Sequence, residues 1–229
     1  MTMHSPDLVS GVQPVLSASL TAHTPAPHSA YRRAFKRLFD VTLVLLSAPL
    51  VLPVIAIMAL LVASDGRSPF YSQMRVGRKG RMFRMWKMRT MVHNADVLLE
   101  AYLASNPDAR REWDSTQKLK TDPRITRIGS ILRKTSLDEL PQLWNVLNGT
   151  MSLVGPRPMM TDQQRYYHGQ SYYRMRPGIT GLWQVSDRNH CDFVQRVDYD
   201  DLYDQTLSFK RDMQVLYQTV GVVVRATGY

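Results

Sequence analysis

From Val41 to Ser64 the chain carries no charged side chain over about 24 positions, and no other feature restricts its fold as strongly. Roughly 20 apolar residues are enough for a helix to match the hydrocarbon layer of a bilayer, so the segment predicts a membrane helix. Pro49 and Pro53 fall in its middle. Each proline removes a helical hydrogen bond and bends the axis. Arg32, Arg33, Lys36 and Arg37 precede the segment, and Arg67, Arg75, Arg78, Lys79 and Arg81 follow it. Positive charge is retained on the cytoplasmic side, so both flanks ask for the same face. A helix–break–helix that enters the cytoplasmic leaflet and returns satisfies both. A spanning helix with a proline kink is the alternative. Carbonyls freed at the break need donors, and Ser47 is the nearest candidate.

The 229 residues suit one domain with an anchor, and their net charge of +10 asks for an anionic partner. Nucleic acid, lipid headgroups and a phosphorylated substrate all meet that demand. The single cysteine, Cys191, excludes an intramolecular disulfide and a cysteine-rich metal cluster, consistent with a reducing, cytosol-facing compartment. It adjoins His190, but sequence neighbours seldom aim at each other, so a nucleophilic role is not favoured. Residues 1–30, rich in Ser, Thr, Pro and His, read as a disordered tail without the features of a secretory signal. The expected organisation is this tail, a re-entrant membrane helix over 31–66, and a cytosolic domain over 67–229.

That domain reads as α+β and mainly helical. Phe70–Val76 and Arg81–Met88 look like strands of a small β-hairpin joined by Gly77-Arg78-Lys79-Gly80. Helices are expected over about 91–105, about 108–119 and Arg124–Lys134, with another starting around Ser136–Pro141. Near the end, Met213, Leu216, Tyr217, Val220, Val223 and Val224 form one helical stripe, facing either the core or the membrane interface.

Arg133-Lys134-Thr135-Ser136-Leu137-Asp138-Glu139-Leu140-Pro141 is the densest candidate for chemistry. Ser136 and Glu139 have capping-box spacing, which puts Asp138 in or beside a first helical turn, where backbone amides favour phosphate. Adjacent carboxylates can hold Mg²⁺ against a diphosphate, and one of them can attack phosphorus. A capped, solvated helix start explains the same residues without chemistry. In Gly155-Pro156-Arg157-Pro158, two prolines fix the backbone around one arginine, aiming its fork at a phosphate or a base. A rigid surface loop is the plain alternative. Arg176-Pro177-Gly178-Ile179-Thr180-Gly181, followed by Trp183-Gln184, offers a tight loop with a cation and an aromatic wall. The basic run Arg75–Arg89, interleaved with Phe83 and Trp86, could meet nucleic acid. Directly after a membrane anchor it suits lipid headgroups or a phosphorylated substrate better. A Walker loop, zinc spacing and a Gly-x-Ser-x-Gly elbow are absent from the sequence.

The order of these segments resembles the bacterial sugar transferase family, the small monotopic polyprenyl-phosphate phosphoglycosyl transferases. The likeness is carried by Lys36–Asp40, the apolar segment, Lys87–Met91, Leu137–Gln142, Gly155–Pro158 and Arg176–Gln184, and it covers about residues 31–229. It implies a re-entrant helix broken at Pro53, a bacterial inner-membrane location with the site facing the cytosol, and a two-step, Mg²⁺-dependent reaction. The substrates implied are a UDP-sugar and undecaprenyl phosphate, with membrane lipids as surroundings, no nucleic acid, and a homo-oligomer left open. By the same resemblance Asp138 is the nucleophile, Glu139 its metal-binding partner (with Asp138 beside the metal), and Arg133 a phosphate contact. Arg157 lies in a uridine-side loop and Asp200 at a further acidic position. Lys87, Arg89, Arg176, Gly178 and Thr180 fall in the matching substrate-binding segments. The chain departs from the usual pattern at Leu52, where a serine is common, and at Ser186-Asp187-Arg188-Asn189, where Ser-Gly-Arg-Asn is common. The stretch Lys118–Arg124 and the ending Gly228-Tyr229 look closest to galactose-1-phosphate transferases that begin exopolysaccharide synthesis.

Overall fold

Helices make up most of the chain, and two short sheets set the spacing between them. The computed structural model describes residues 30–116, 119–186 and 195–224. A π-helical turn, Tyr31–Phe35, leads into α1 (Lys36–Val62). Next come β1 (Phe70–Val76), β2 (Met82–Met88), α2 (Ala95–Ser105), α3 (Pro107–Thr116) and α4 (Arg127–Lys134). After a 3₁₀ turn at Leu137–Glu139 the order is α5 (Gln142–Leu147), β3 (Ser152–Val154), α6 (Ser171–Arg174), β4 (Gly178–Thr180), α7 (Leu182–Val185), α8 (Arg196–Thr206) and α9 (Phe209–Val224). The tail before residue 30, Lys118, Cys191 with His190, Asp187–Asn189 and the terminal Gly228-Tyr229 lie outside the described residues.

The expected hairpin forms. β1 and β2 pair antiparallel from Phe70↔Met88 to Val76↔Met82, with Lys79 and Gly80 at positive φ in the connecting turn. A second, parallel pair joins β3 to β4, with Ser152 opposite Gly178 and Val154 opposite Thr180. The main core lies between these sheets and the C-terminal helices, around Phe83, Met85, Val146, Val154, Tyr203 and Val215. Smaller clusters sit under the end of β1 (Val76, Met159, Tyr172) and under the end of α1 (Val62, Met88, Leu132).

α1 does not break at Pro53 as expected. It runs from Lys36 to Val62 with Pro49 and Pro53 inside it. Each proline deletes one N–H donor but leaves the bonds of neighbouring turns in place, so the helical path continues. Ser47 donates to the Val44 carbonyl at 3.0 Å. The missing N–H groups are those that would reach Leu45 and Pro49, four residues back, so Ser47 does not serve the freed carbonyls. Only Asp40, Val44 and Val62 of α1 are buried, while Leu46, Leu50 and Leu60 are each about three quarters exposed. An apolar surface this long suits lipid better than water.

Both ends of α1 are bonded to the same domain. At its start Arg32 pairs with Asp204, and Lys36 Nζ meets Asp212 Oδ2 at 2.7 Å. Asp40, 2% exposed, accepts from Ser152 Oγ at 2.7 Å and from the Leu153 N–H at 3.3 Å. Arg37 donates to the carbonyls of Val146 and Leu147, where a cation complements the C-terminus of α5. At the other end Arg89 holds Asp65 through two 2.7 Å bonds and also donates to the carbonyls of Val62 and Ser68.

Part of the C-terminal stripe faces outward. Tyr217 is 82% and Val220 62% exposed, while Asp212 and Val215 on the opposite face are fully buried. Phe209 at the start of α9 packs edge-on against Tyr31 and Phe39, so the exposed stripe adjoins the apolar surface of α1. Leu216 of the same stripe packs against the main core, so the stripe is shared between the core and the outer surface.

Candidate active site

Asp138 and Glu139 are presented by a turn that the sequence pattern misreads. The expected capping box does not form. Ser136 is left-handed (φ 57°, ψ 17°) and its side chain caps nothing, whereas an N-cap residue needs extended backbone. Instead Glu139 N–H bonds the Ser136 carbonyl at 3.2 Å and Leu140 N–H bonds that of Leu137 at 3.3 Å. Glu139 is thereby left to reach β2, where Lys87 Nζ meets its Oε1 at 2.7 Å. The same ammonium stands 3.8 Å from Asp138 Oδ2.

The spacing is held from both sides. Asn145 of α5, 1% exposed, accepts from the Trp86 N–H at 3.0 Å and donates to the Arg84 carbonyl at 2.8 Å. It thus satisfies the edge of β2 next to Lys87. On the other side α4 closes onto Thr90. A Cβ at Gly129 would lie 2.0 Å from the Thr90 carbonyl oxygen, so only glycine allows the approach. Arg133 Nε then donates to Thr90 Oγ1 at 2.9 Å.

Asp138 is buried, at 8% exposure. Burial raises its carboxyl above the ordinary range. Lys87 opposes the rise, Glu139 adds to it and Arg133 opposes it. Lys87, Arg133, Asp138 and Glu139 are therefore one cluster, in which β2 adds Lys87 to the Arg133–Glu139 stretch singled out from the sequence.

A divalent cation fits this cluster in one way only. Among the described residues no group of three His, Cys, Asp or Glu side chains is placed to hold a metal. Mg²⁺, however, is commonly bound through one or two carboxylates, with waters and substrate phosphates completing its shell. The adjacent carboxylates meet that need, provided that Lys87 yields its place on Glu139.

Arg157 belongs to a second centre. Its loop lies directly on the segment from Arg176 to Gly181. The Gly155 N–H bonds the Thr180 carbonyl at 2.9 Å, and the Gly178 N–H bonds that of Pro156 at 2.8 Å. A Cβ at Gly178 would fall 2.1 Å from the Gly155 nitrogen, and one at Gly181 would fall 2.1 Å from its carbonyl oxygen. Gly178 and Thr180, expected at the substrate, thus sit in β4 and hold the Arg157 loop. Thr180 Oγ1 lies 2.7 Å from Thr219 Oγ1 of α9. Arg157 emerges with its guanidinium 5.8 Å from the centre of the Trp183 ring, and Arg196 approaches the same ring to 4.1 Å. A small recess of about 10 Å³ beside Trp183 is lined by Gly155, Arg157, Tyr199 and Asp200. Asp200 is buried and accepts from Tyr167 Oη at 2.8 Å. Desolvation pushes its carboxyl up to about 7, against the pull of Tyr167 and Arg196.

Two expected residues stand apart. Arg89 is committed to the end of α1, as described above. Arg176 Nε donates to the Gly149 carbonyl at 2.9 Å, and the side chain lines a cleft of about 380 Å³ with Arg78, Lys79 and Arg81. Burial lowers its guanidinium first, and the nearby Arg78 and Arg37 lower it further. Arg196 and Tyr167 were not singled out from the sequence. Neither carries a motif, and only the fold brings them to Trp183 and Asp200.

Comparison with known proteins gives one consistent family. The bacterial sugar transferase profile matches residues 31–226. The UDP-galactose-lipid carrier transferase of Erwinia amylovora is 49% identical over 205 residues, 89% of this chain and 43% of that protein. The undecaprenyl-phosphate galactose phosphotransferase of Salmonella typhimurium is 46% identical over 198 residues, 86% of this chain and 42% of that protein. The exopolysaccharide production protein ExoY of Sinorhizobium fredii is 44% identical over 196 residues, 84% of this chain and 87% of that protein. The chain thus spans less than half the length of the first two relatives and most of the third.

The raised carboxyl of Asp200 makes a stability prediction. The folded protein keeps a proton that the unfolded chain releases near the ordinary value of 3.8. The stability contributed by this group is therefore full below that value and is lost as pH rises to about 7. Asp200→Asn keeps an acceptor for Tyr167 and removes the titration. Thermal unfolding at pH 5 and pH 8 should show the variant gaining on the wild type at the higher pH. An equal difference at both values would contradict the assignment.

Proposed function

We propose, because this chain belongs to the bacterial sugar transferase family, that it moves a sugar-1-phosphate from a UDP-sugar to undecaprenyl phosphate and releases UMP. The sugar is galactose or glucose, and the step opens exopolysaccharide or other glycoconjugate synthesis at the bacterial inner membrane. The observation that carries this reading is the meeting of two carboxylates with Lys87 and Arg133 beside an exposed apolar helix. Names of relatives point the same way. Two are given above, and a Klebsiella pneumoniae relative, 34% identical over 208 residues, is a UDP-glucose:undecaprenyl-phosphate glucose-1-phosphate transferase.

In the proposed reaction an Asp138 carboxylate oxygen attacks the β-phosphorus of the UDP-sugar. The bond from that phosphorus to the bridging oxygen breaks, and UMP leaves with the electron pair. A phosphate oxygen of the carrier then attacks the same phosphorus, releasing the Asp138 carboxylate and forming a polyprenyl diphosphosugar. Lys87 and Arg133 offset the charge that moves over the phosphates. Mg²⁺, held by Glu139 with Asp138, would supply further neutralisation of the diphosphate.

The same reading puts both ends of α1 on the cytosolic face. A helix rises about 1.5 Å per residue, and a crossing would set its ends on opposite sides of a hydrocarbon layer of about 30 Å. Bonds from one domain to Asp40 near the start of the helix and to Asp65 just past its end support ends that stay on a single face. This reading keeps both ends of α1 on one face and the site beside a carrier that stays in the bilayer.

Two measurements test these proposals. UMP release, followed with UDP-galactose or UDP-glucose and undecaprenyl phosphate, should be robust in the wild type and fall by orders of magnitude in Asp138→Asn. A wild type inactive with both sugars, or a fully active variant, would contradict the reaction. In a Cys191→Ser background, cysteines at Ser29 and Ser105 should both be shielded from an impermeant thiol reagent in intact cells. Labelling at position 29 with protection at 105 would show that α1 crosses.

A further inference from the structure

We propose that Arg75 and Arg157 together seat the phosphate of the departing nucleotide, an inference that rests on the transferase reading above. Arg75 lies on β1 directly opposite Phe83, so it shares the face of the hairpin that packs on the core. It is only 8% exposed. One terminal nitrogen, Nη2, donates to Gln73 Oε1 at 2.7 Å. The other two donors, Nε and Nη1, are buried without a hydrogen-bond partner. Buried polar groups are nearly always paired, and a buried charge left unpaired is strongly unfavourable.

The nearest strong influence makes the situation worse rather than better. The Val76 N–H bonds the Met159 carbonyl at 3.1 Å, which ties the Arg157 loop to the end of β1. Burial lowers the Arg75 guanidinium first, and the Arg157 cation lowers it next, while Tyr71, Tyr172 and Asp162 act in the opposite sense. Two neighbouring cations, one of them with buried unpaired donors, suit an oxyanion that bonds both.

Two phosphates pass through the proposed site, that of the nucleotide and that of the lipid carrier. The nucleotide's is favoured because Arg157 also stands over the Trp183 ring, an aromatic face that suits a base better than a prenyl chain. Lys87 lies opposite Tyr71 on the same hairpin face, four strand residues from Arg75. That is roughly 13 Å between backbones, a gap that two long side chains can close around a diphosphate. The dyad would then attack from the Lys87 side, and the UMP phosphate would depart toward Arg75.

The test uses the purified full-length protein in nanodiscs. UMP should raise the thermal midpoint of the wild type and leave that of Arg75→Met unmoved, while undecaprenyl phosphate should shift both equally. KM for the UDP-sugar should rise about tenfold or more in the variant, with KM for the carrier unchanged. Without ligand, Arg75→Met should unfold at the wild-type temperature or above, since it removes an unpaired buried charge. A midpoint several degrees lower would assign Arg75 a structural role and overturn the proposal. So would a UMP shift that survives in the variant, or loss of the carrier's shift in its place. A wild type that binds UMP through Arg75 but transfers no sugar would instead refute the transferase reading and leave the anion seat standing.

Discussion

Lys36 on Asp212, Arg32 on Asp204 and Asp40 on Ser152 fasten the start of an apolar helix to the folded domain, and Arg89 on Asp65 fastens its end. The acids are deep: Asp204 is 2% exposed and Asp212 not at all. Asp204 also pairs with Arg174, but without Lys36 the buried Asp212 would lose the one ion pair it has among the described residues, so the seating of α9 depends on the head of α1. Tyr203, which donates to Asp212 at 2.6 Å and to the Val154 carbonyl at 3.2 Å, extends the same network to β3. The membrane helix is thus part of the core's construction, and the basic residues that argue for topology are also the ones that hold it.

The hairpin distributes this order to the two centres. β2 delivers Lys87 to the carboxylates, and its outer edge is completed by Asn145 only a few residues beyond the dyad. β1 ends at Val76, which fixes the loop that presents Arg157. The Gly155, Gly178 and Gly181 contacts set that loop at backbone distance from β4, where no side chain fits. Charge and backbone contact therefore place the paired carboxylates and the Trp183 recess on one scaffold.

Much of this was legible in the sequence. The uncharged run from Val41 to Ser64 marks α1, and the Gly77–Gly80 turn between alternating residues marks the hairpin to within one residue of β2. The Asp138–Glu139 cluster and the rigid Arg157 loop were legible as candidates because their residue types are unusual together. Other features were hidden for physical reasons. The β3–β4 pair has three residues in each strand, too few for an alternation to register. Thr126, accepting from the Gly129 N–H at 2.9 Å, starts α4 later than its polar composition suggests. Ser136 and Glu139 match a capping box in spacing, but Ser136 lies two residues past the end of α4 in left-handed backbone, and spacing alone carries no information on φ. The uses of Arg89 and Arg176 depend on which carbonyls and acids the fold brings near them, and residue type alone carries no such information.

The central claim is that Asp138 carries the sugar phosphate between donor and carrier, and trapping that species tests it most directly. Wild-type protein incubated with the UDP-sugar and no carrier, then digested, should yield a peptide spanning Leu137–Leu140 heavier by one phosphosugar, with fragmentation placing it on Asp138. Adding undecaprenyl phosphate before digestion should discharge it. A protein that turns over both substrates while no adduct forms on Asp138 at any time would contradict the account.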